Sequence, residues 1–346
     1  MIPDEKILEF QKELSNSIRP IFFFDDDCDG LSAFLLLYRK IQGGKGVPIK
    51  AAPTLNEQFL PYIYNYSPDK VFVLDNTRMN EEFIKGAKSK ILALDHHPYE
   101  KYEGVRYFNP LDYDKDNNWP TTYWAKKIAD NPNDLWIAMA GCIGDWHLPD
   151  FKDEFIEKYP DLMSKDITKP DDALFDSEIG RLAQLFYFLL KGTTKTVLAN
   201  IKTLTRIDSP YEILYQQTPG GKFLWKHYSK IRKQYDSLLN DAKKSVTENN
   251  FIVFTYEDNK TSMTAEVSNE LIHMHPDKVV IVGRHKDGEF RCSLRSAQKP
   301  IAPALEKVLQ SVEGYGGGHQ NACGCSIKEH DFGRFLELLE EEYLDE

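Results

Sequence analysis

Four carboxylates fall within five residues, Asp25, Asp26, Asp27 and Asp29. They lie directly behind an apolar run ending in Phe22-Phe-Phe24 and ahead of Gly30 and a second apolar run, Ala33 to Tyr38. That order reads as a buried strand, an acidic turn and a helix. Carboxylates this dense repel one another and are not buried bare. Divalent cations are the direct remedy, because hard cations take oxygen ligands. The plainer alternative is a solvated acidic turn that caps the following helix. It weakens as further acids and histidines join the pattern.

At 346 residues the chain predicts about two domains. Hydrophobic residues make up 41% and aromatics 12%, enough for real cores. No uncharged apolar stretch reaches the roughly 18 residues of a membrane span. The start, Met1-Ile-Pro-Asp-Glu-Lys6, lacks the basic and apolar regions of a signal peptide. Five scattered cysteines suit a reduced cytoplasm better than a disulfide framework. Cys323 and Cys325 have no second pair to complete a zinc site, so they are expected to pack. The net charge of −11 argues against broad coating of nucleic acid, while leaving room for a local basic groove.

A polar helix is expected over 4–17, a strand at Ile21–Phe24 and a helix to about Ile41. Short strands follow at Val47–Ala52, Lys70–Asp75, Lys90–Leu94 and Val105–Phe108, with a helix near Asn80–Lys88 between the second and third. Strands alternating with helices predict a doubly wound parallel sheet. Ligands of such sheets sit beyond the carboxyl ends of the strands. Three strand ends here carry Asp25/Asp27/Asp29, Asp75 and Asp95-His96-His97, so the fold rule brings them to one edge. Helices are expected at about 121–130 and 134–144, the second ending in Gly141-Cys-Ile-Gly144-Asp145. Asp145 joins the candidates there, although a helix-terminal Asp facing water is the simpler reading of that stretch alone.

Residues 149–178, acidic and Pro-containing, read as an exposed excursion. Helical patterns follow over 178–205 and 222–246, with a hinge around Pro210 and Pro219-Gly220-Gly221. A C-terminal α/β segment with a mixed sheet starts near Phe251, with strands at Val279–Gly283 and Glu289–Arg295. Helices are expected near 264–274, 302–311 and 330–343. The resulting division is 1–190, a helical linker at 191–248, and 249–346.

Asp25, Asp27, Asp29, Asp75 and Asp145 supply the several carboxylates that a two-metal site needs. Histidine adds a borderline ligand that favours Mn²⁺. His96 and His97 are neighbours, so one can bind metal while the other faces substrate. A second constellation pairs Ser293-Leu-Arg295-Ser296 with the loop Gly314-Tyr-Gly316-Gly317-Gly318-His319. Glycines let a backbone approach an anion, and Arg295 can take phosphate in bidentate fashion. Lys222, Lys226, Lys230 and Lys233 align on one helix face, interleaved with Phe223, Trp225, Tyr228 and Tyr235. Such a stripe could track a single strand; the bland alternative is a solvated face opposite a core face.

In order, Asp25 to Gly30, Asp75, Asp95-His96-His97, Asp145 and Gly316-Gly-Gly-His319 resemble the motifs of the DHH phosphoesterases with a DHH-associated C-terminal domain. The Asp-x-Asp-x-Asp-Gly form and the Ser-x-Arg-Ser element look like the RecJ exonuclease branch. The resemblance implies that Asp25, Asp27, Asp29, Asp75, His96 and Asp145 bind two Mn²⁺ or Mg²⁺ ions. It implies that His97 contacts the scissile phosphate, with Asp95 orienting the histidine pair. Ser293, Arg295, Ser296, Gly316, Gly317, Gly318 and His319 are implied to hold the substrate's phosphates.

The expectation is a cytoplasmic two-lobed exonuclease with its site in the cleft. It would cut single-stranded DNA or RNA from an end into mononucleotides, with a replication or repair protein as a conceivable partner. The chain is short of the oligonucleotide-binding domain of bacterial RecJ, which points to a compact archaeal-type nuclease. The rivals are a nanoRNase or cyclic-dinucleotide hydrolase and a Cdc45-like replication scaffold. The full set of acids and both histidines argues against the scaffold.

Overall fold

The computed structural model describes residues 1–50, 54–257 and 262–345. They form two compact units, Met1–Tyr228 and Ser229–Glu346.

The first unit begins with α1 (Asp4–Ser15), β1 (Ile21–Asp25), α2 (Cys28–Ile41) and β2 (Lys45–Ile49). It continues through α3 (Leu60–Tyr66), β3 (Lys70–Leu74), α4 (Glu81–Ala87), β4 (Lys90–Leu94) and β5 (Val105–Phe108). The five strands are parallel, in the order β2-β1-β3-β4-β5. The chain reverses its winding between β1 and β3, the switch point where open parallel sheets bind ligands. β1 is apolar throughout because both its faces are covered. Phe22 and Phe24 pack against Phe34 of α2 at centroid distances of 5.5 and 4.8 Å. Phe23 meets Phe59 and Phe83 on the opposite face, at 5.9 and 5.6 Å. Burying each phenyl contributes roughly 1.5–3 kcal/mol, which anchors the strand whose end carries the acid cluster. The strand expected at 47–52 starts earlier, at Lys45, and ends at Ile49; residues 51 and 52 lie outside the described residues.

Next come α5 (Thr121–Ala129), α6 (Leu135–Gly144), α7 (Lys152–Lys158), α8 (Pro170–Phe175), α9 (Glu178–Leu189), α10 (Thr194–Leu204) and α11 (Pro210–Leu214). Residues 149–178 are not the exposed excursion that their acidity suggested. Phe151, Phe155, Ile156, Tyr159, Leu162 and Met163 are buried, so the acids form only the outer face of a packed segment. The expected hinge is a built turn. Ser209 and Glu212 cap α11 reciprocally, and the Glu212 carboxylate also accepts from the Thr218 hydroxyl.

α12 (Pro219–Lys243) starts in the first unit and ends in the second. Pro219 needs no backbone N–H in a first helical turn, and the Thr218 hydroxyl accepts from the Gly221 amide. The second unit holds β6 (Phe251–Glu257), α13 (Thr264–Met274), β7 (Val279–Lys286), β8 (Glu289–Ser296), α14 (Ala302–Val308), β9 (Gly314–His319), β10 (Ala322–Lys328) and α15 (Phe332–Asp345). Its mixed sheet runs β6-β7-β8-β10-β9, with only β6 and β7 parallel. The glycine-rich stretch expected as a loop is β9, an exposed edge strand held by pairing to β10. Glycine has poor strand propensity, so this strand exists through its partner. Among the described residues, no helix is long and apolar enough to cross a membrane.

Candidate functional site

The acid cluster sits where β1 gives way to α2. Asp27 caps α2, its carboxylate accepting from the Gly30 amide at 2.9 Å. A Cβ on Gly30 would lie 2.7 Å from the Asp25 backbone nitrogen and oxygen, so only glycine allows this tight turn. Asp29 is buried, and its two oxygens accept from the Thr121 and Thr122 amides at 2.8 and 2.6 Å. Those amides open α5, so the helix dipole also favours the Asp29 charge.

Asp75 follows β3 in a left-handed backbone conformation, φ 57°, uncommon for a residue with a side chain. Its carboxylate accepts from the Thr121 hydroxyl at 3.1 Å. Asp145 ends α6. Gly141 and Gly144 let α6 approach α2, because a Cβ on either would lie 2.5–2.6 Å from the Cβ of Ser32 or Cys28. This close packing carries Asp145 to the strand ends.

The two histidines divide their contacts. His96 Nδ1 lies 2.9 Å from the Asn118 carbonyl and therefore carries the proton. Its Nε2 lone pair faces Asp75, Asp145 and Asp29 oxygens at 3.5, 3.7 and 3.9 Å. A lone pair among carboxylates is repelled unless a cation lies between them. Asp95 Oδ1 accepts from the His96 and His97 amides at 2.7 and 3.0 Å and from His97 Nδ1 at 2.9 Å. Asp95 Oδ2 is buried with no hydrogen-bond partner. His97 is 44% exposed, and its Nε2 remains for an incoming group.

Potential ligand atoms group into the triads Asp29/His96/Asp145 and Asp25/Asp27/Asp75, each within 4.8 Å. A further group, Asp75/Asp95/His96/His97, overlaps both. Burial, then the neighbouring Asp25 and Asp29, pushes Asp27 up to about 7. Burial also raises Asp25, and burial with the facing Asp29 and Asp27 raises Asp75 and Asp145 well above the usual carboxylate range. For His97, burial opposes the charged form, yet the Asp95 hydrogen bond and charge prevail and the imidazole is raised. A set of carboxylates that resist joint ionisation, around an inward nitrogen lone pair, fits a pair of divalent cations.

Several participants carry no motif signal of their own. Thr121 and Thr122 fix Asp29 and Asp75. Asn118 sets the His96 tautomer, and Asn76 lies 3.5 Å from Asp25. Asn109 donates to the His97 carbonyl at 2.9 Å. Only Asn76, adjacent to Asp75, stood beside a recognisable motif residue.

The second constellation lies in the second unit. Strand alternation separates its members: Ser293 and Arg295 share one face of β8, and Ser296 points to the other. Ser296 is buried, its hydroxyl shared with the Lys299 carbonyl and the Tyr343 hydroxyl at 2.8 and 2.6 Å. It is not brought together with the other candidates. Across the sheet, Arg295 registers with Ala322 and then His319, and Ser293 with Gly324 and then Gly317. These two rows form a shelf of small residues edged by Arg295 and His319. Asn269 of α13 accepts from Arg295 Nε at 2.6 Å, and Arg295 Nη1 donates to the Leu294 and Cys323 carbonyls.

The glycines are unlike one another. A Cβ on Gly316 would lie 2.6 Å from the Cys325 Cβ, and one on Gly318 would lie 2.4 Å from the Ala322 carbonyl. A Cβ on Gly317 would meet nothing within 4 Å. Gly317 therefore opens onto the shelf, while Gly316 and Gly318 serve packing.

These features define a two-unit α/β protein with a carboxylate–imidazole centre at the switch point of a parallel sheet. Residues 248–344 match the DHHA1 domain model. The fold over nearly the whole chain is shared with three solved structures. A DHH-domain protein described as a member of the s1p family of ribosomal proteins has a TM-score of 0.68 and 14% identity over 98% of this chain and 90% of its own. RecJ from Thermus thermophilus, in complex with Mn²⁺, scores 0.65 at 15% identity, over 97% of this chain and 54% of its own. This chain thus spans about half the length of that RecJ. Another exonuclease RecJ, bound to manganese, scores 0.61 at 14% identity, over 97% and 93%. No curated protein matches the chain in sequence. The chain shares the fold of these DHH-domain and RecJ structures, and the DHHA1 match falls in its second unit.

Proposed function

We propose that this protein is a divalent-metal-dependent phosphodiesterase that removes nucleotides stepwise from an end of single-stranded DNA or RNA. The observation that carries this reading is the pair of ligand triads at the sheet's switch point. Asp25, Asp27, Asp29, Asp75, His96 and Asp145 would hold two cations, Mn²⁺ or Mg²⁺, whose charge offsets that developing on the phosphate. Both RecJ structures described above contain manganese.

The chain's own residues do the rest. Asp95 holds His97 so that Nε2 faces outward, and its hydrogen bond and charge favour the protonated imidazole. His97 would donate from Nε2 to a phosphate oxygen and so steady the pentacoordinate arrangement. Asn118 and Asp29's bonds to α5 keep the other side of the site rigid. In the second unit, Arg295, Ser293, Gly317 and His319 would hold a strand phosphate, with Asn269 fixing the guanidinium.

A second reading is hydrolysis of very short substrates. A pGpG-specific phosphodiesterase from Vibrio shares the fold at a TM-score of 0.50 and 15% identity, over 95% of this chain and 100% of its own. The basic stripe of α12 also lacks a continuous stacking platform. Its lysines are exposed, but Tyr228 and Tyr235 are buried.

End-labelled DNA and RNA ladders from two nucleotides upward, with Mn²⁺ or Mg²⁺, test both readings. Stepwise release of mononucleotides from long strands, lost in Asp75→Asn, is the expected result. Turnover confined to dinucleotides selects the second reading. No phosphodiester cleavage at any length defeats both.

A further inference from the structure

The first unit holds a cavity of about 540 Å³ unrelated to the acidic centre. Its walls come from one face of α10 with the turn after it, and from the first turn of α12. Lys202 and Arg206 lie one helical turn apart on the α10 side, line the cavity and are both exposed. Neither side chain has an ion-pair or hydrogen-bond partner among the described residues. Glu212 is the acid lining the cavity, and it is already engaged: its carboxylate accepts from the Asp208 and Ser209 amides and the Thr218 hydroxyl. On the α12 side, Phe223 leaves 45% of its surface in water. Thr203, Ile207 and Gly220 line the apolar floor, where a Cβ on Gly220 would lie 3.3 Å from Ile207 Cδ1.

Such a cavity is ligand-sized, since small-molecule sites typically span about 300–1,000 Å³. Two unpaired cations in a chain of net charge −11 favour an anion. An exposed aromatic ring over an apolar floor favours a flat ring system. A single guanidinium can grip a phosphate through two N–H groups, and base stacking on an aromatic side chain contributes about 1–3 kcal/mol. We propose that the cavity walled by Lys202, Arg206 and Phe223 is a second ligand site, for a nucleoside monophosphate. The phosphate lies against the two cations and the base against Phe223. The ligand is the class of product that the proposed hydrolysis releases, either free or as the phosphorylated end of a strand.

Binding of AMP, adenosine, inorganic phosphate and a 5′-phosphorylated oligonucleotide to the full chain, by calorimetry in EDTA, tests this apart from catalysis. AMP is expected to bind, with adenosine and phosphate each weaker by about tenfold or more, a difference of about 1.4 kcal/mol. Arg206→Ala and Phe223→Ala should each weaken AMP by about fivefold or more, within the range of one lost charged or stacking contact. Asp75→Asn should leave AMP binding unchanged. Oligonucleotide binding that falls with the same two variants places a strand end in the cavity and supports the site equally. The proposal is overturned by three outcomes: no AMP binding, AMP binding unaltered in Arg206→Ala and Phe223→Ala, or phosphate binding as tightly as AMP. Loss of hydrolysis on the ladders with AMP binding intact would remove the proposed function and leave this site standing.

Discussion

Raising the pH should weaken the metal-free first unit, and divalent cations should restore it. Asp27 ionises at 3.8 when unperturbed but at about 7 in the fold. Between those values the folded chain holds a proton that the unfolded chain has released, so stability falls as pH rises through the window. At about 1.36 kcal/mol per pKa unit, that displacement is worth about 4 kcal/mol, shared between Asp27 and the carboxylates that face it. Asp25, Asp75 and Asp145 are displaced the same way. His97, also raised, adds stability at low pH that disappears as pH climbs through its folded value. One opposing contributor acts in the same window: His147, lowered by burial, adds stability as pH rises towards 6.5. Another acts lower down. Glu13, drawn to about 2 by hydrogen bonds from Lys90 and Lys70, loses its contribution only as pH falls from 4.5 towards 2.

All five tryptophans, Trp119, Trp124, Trp136, Trp146 and Trp225, lie in the first unit, so their fluorescence follows it selectively. Urea unfolding in EDTA should show the midpoint falling between pH 5 and pH 8. Mn²⁺ at about one hundred times its Kd should return about 2.7 kcal/mol. Asp27→Asn, which can still cap α2 through its amide oxygen, should be more stable than the parent at pH 8 in EDTA and gain less from Mn²⁺. Equal midpoints at pH 5 and pH 8 in EDTA, or an Asp27→Asn variant less stable than the parent at pH 8, would refute the repulsion argument.

Two further predictions concern single residues. His96→Ala should lower Mn²⁺ affinity measured by calorimetry, whereas His97→Ala should leave it nearly unchanged and slow turnover by about 10²–10⁴-fold, the usual scale of acid–base assistance; equal loss of affinity in both contradicts the division between the rings. Gly317→Ala should unfold like the parent while turning over nucleic acid more slowly, and Gly316→Ala should destabilise the second unit by about 1–3 kcal/mol through overpacking, both read by differential scanning calorimetry with a nuclease assay beside it.

The parallel sheet was legible because its signals are local. Short apolar runs end in acids or histidines, and a fold rule alone carries those ends to one edge. Asp145 was less legible, since its place depends on Gly141 and Gly144 letting two helices meet. The buried segment at 149–178 was misread because charge density outweighed its apolar spacing. Phe151, Phe155 and Tyr159 recur every four residues, a helical face visible in the sequence. Ser296 could have been set aside by strand alternation, which separates it from Ser293 and Arg295. No local pattern could reveal β9, because its pairing with β10 is tertiary. The same holds for Thr121, Thr122 and Asn118, whose contacts reach back more than twenty residues to His96 and more than ninety to Asp29.

Those last contacts give the centre an internal asymmetry. Asp29 and His96 are both fixed by residues 118–122, through two amides and one carbonyl. Asp29 and His96, with Asp145, make one triad. In the other triad, Asp25 and Asp27 are held more loosely. Asn76 lies 3.5 Å from Asp25, while one Asp27 oxygen caps α2. That triad contains Asp25, Asp27 and Asp75, all raised by burial. The first triad is preorganised and has one raised carboxyl, Asp145, to deprotonate, whereas all three carboxyls of the other are raised. The first cation should therefore enter at Asp29/His96/Asp145 with the weaker pH dependence. The second should enter at Asp25/Asp27/Asp75 and release more protons as it does so. Calorimetric Mn²⁺ titration in buffers of different ionisation enthalpy separates the two events. Proton release confined to the tighter event would reverse the order, and release of none would mean that the loose triad is already ionised without a cation.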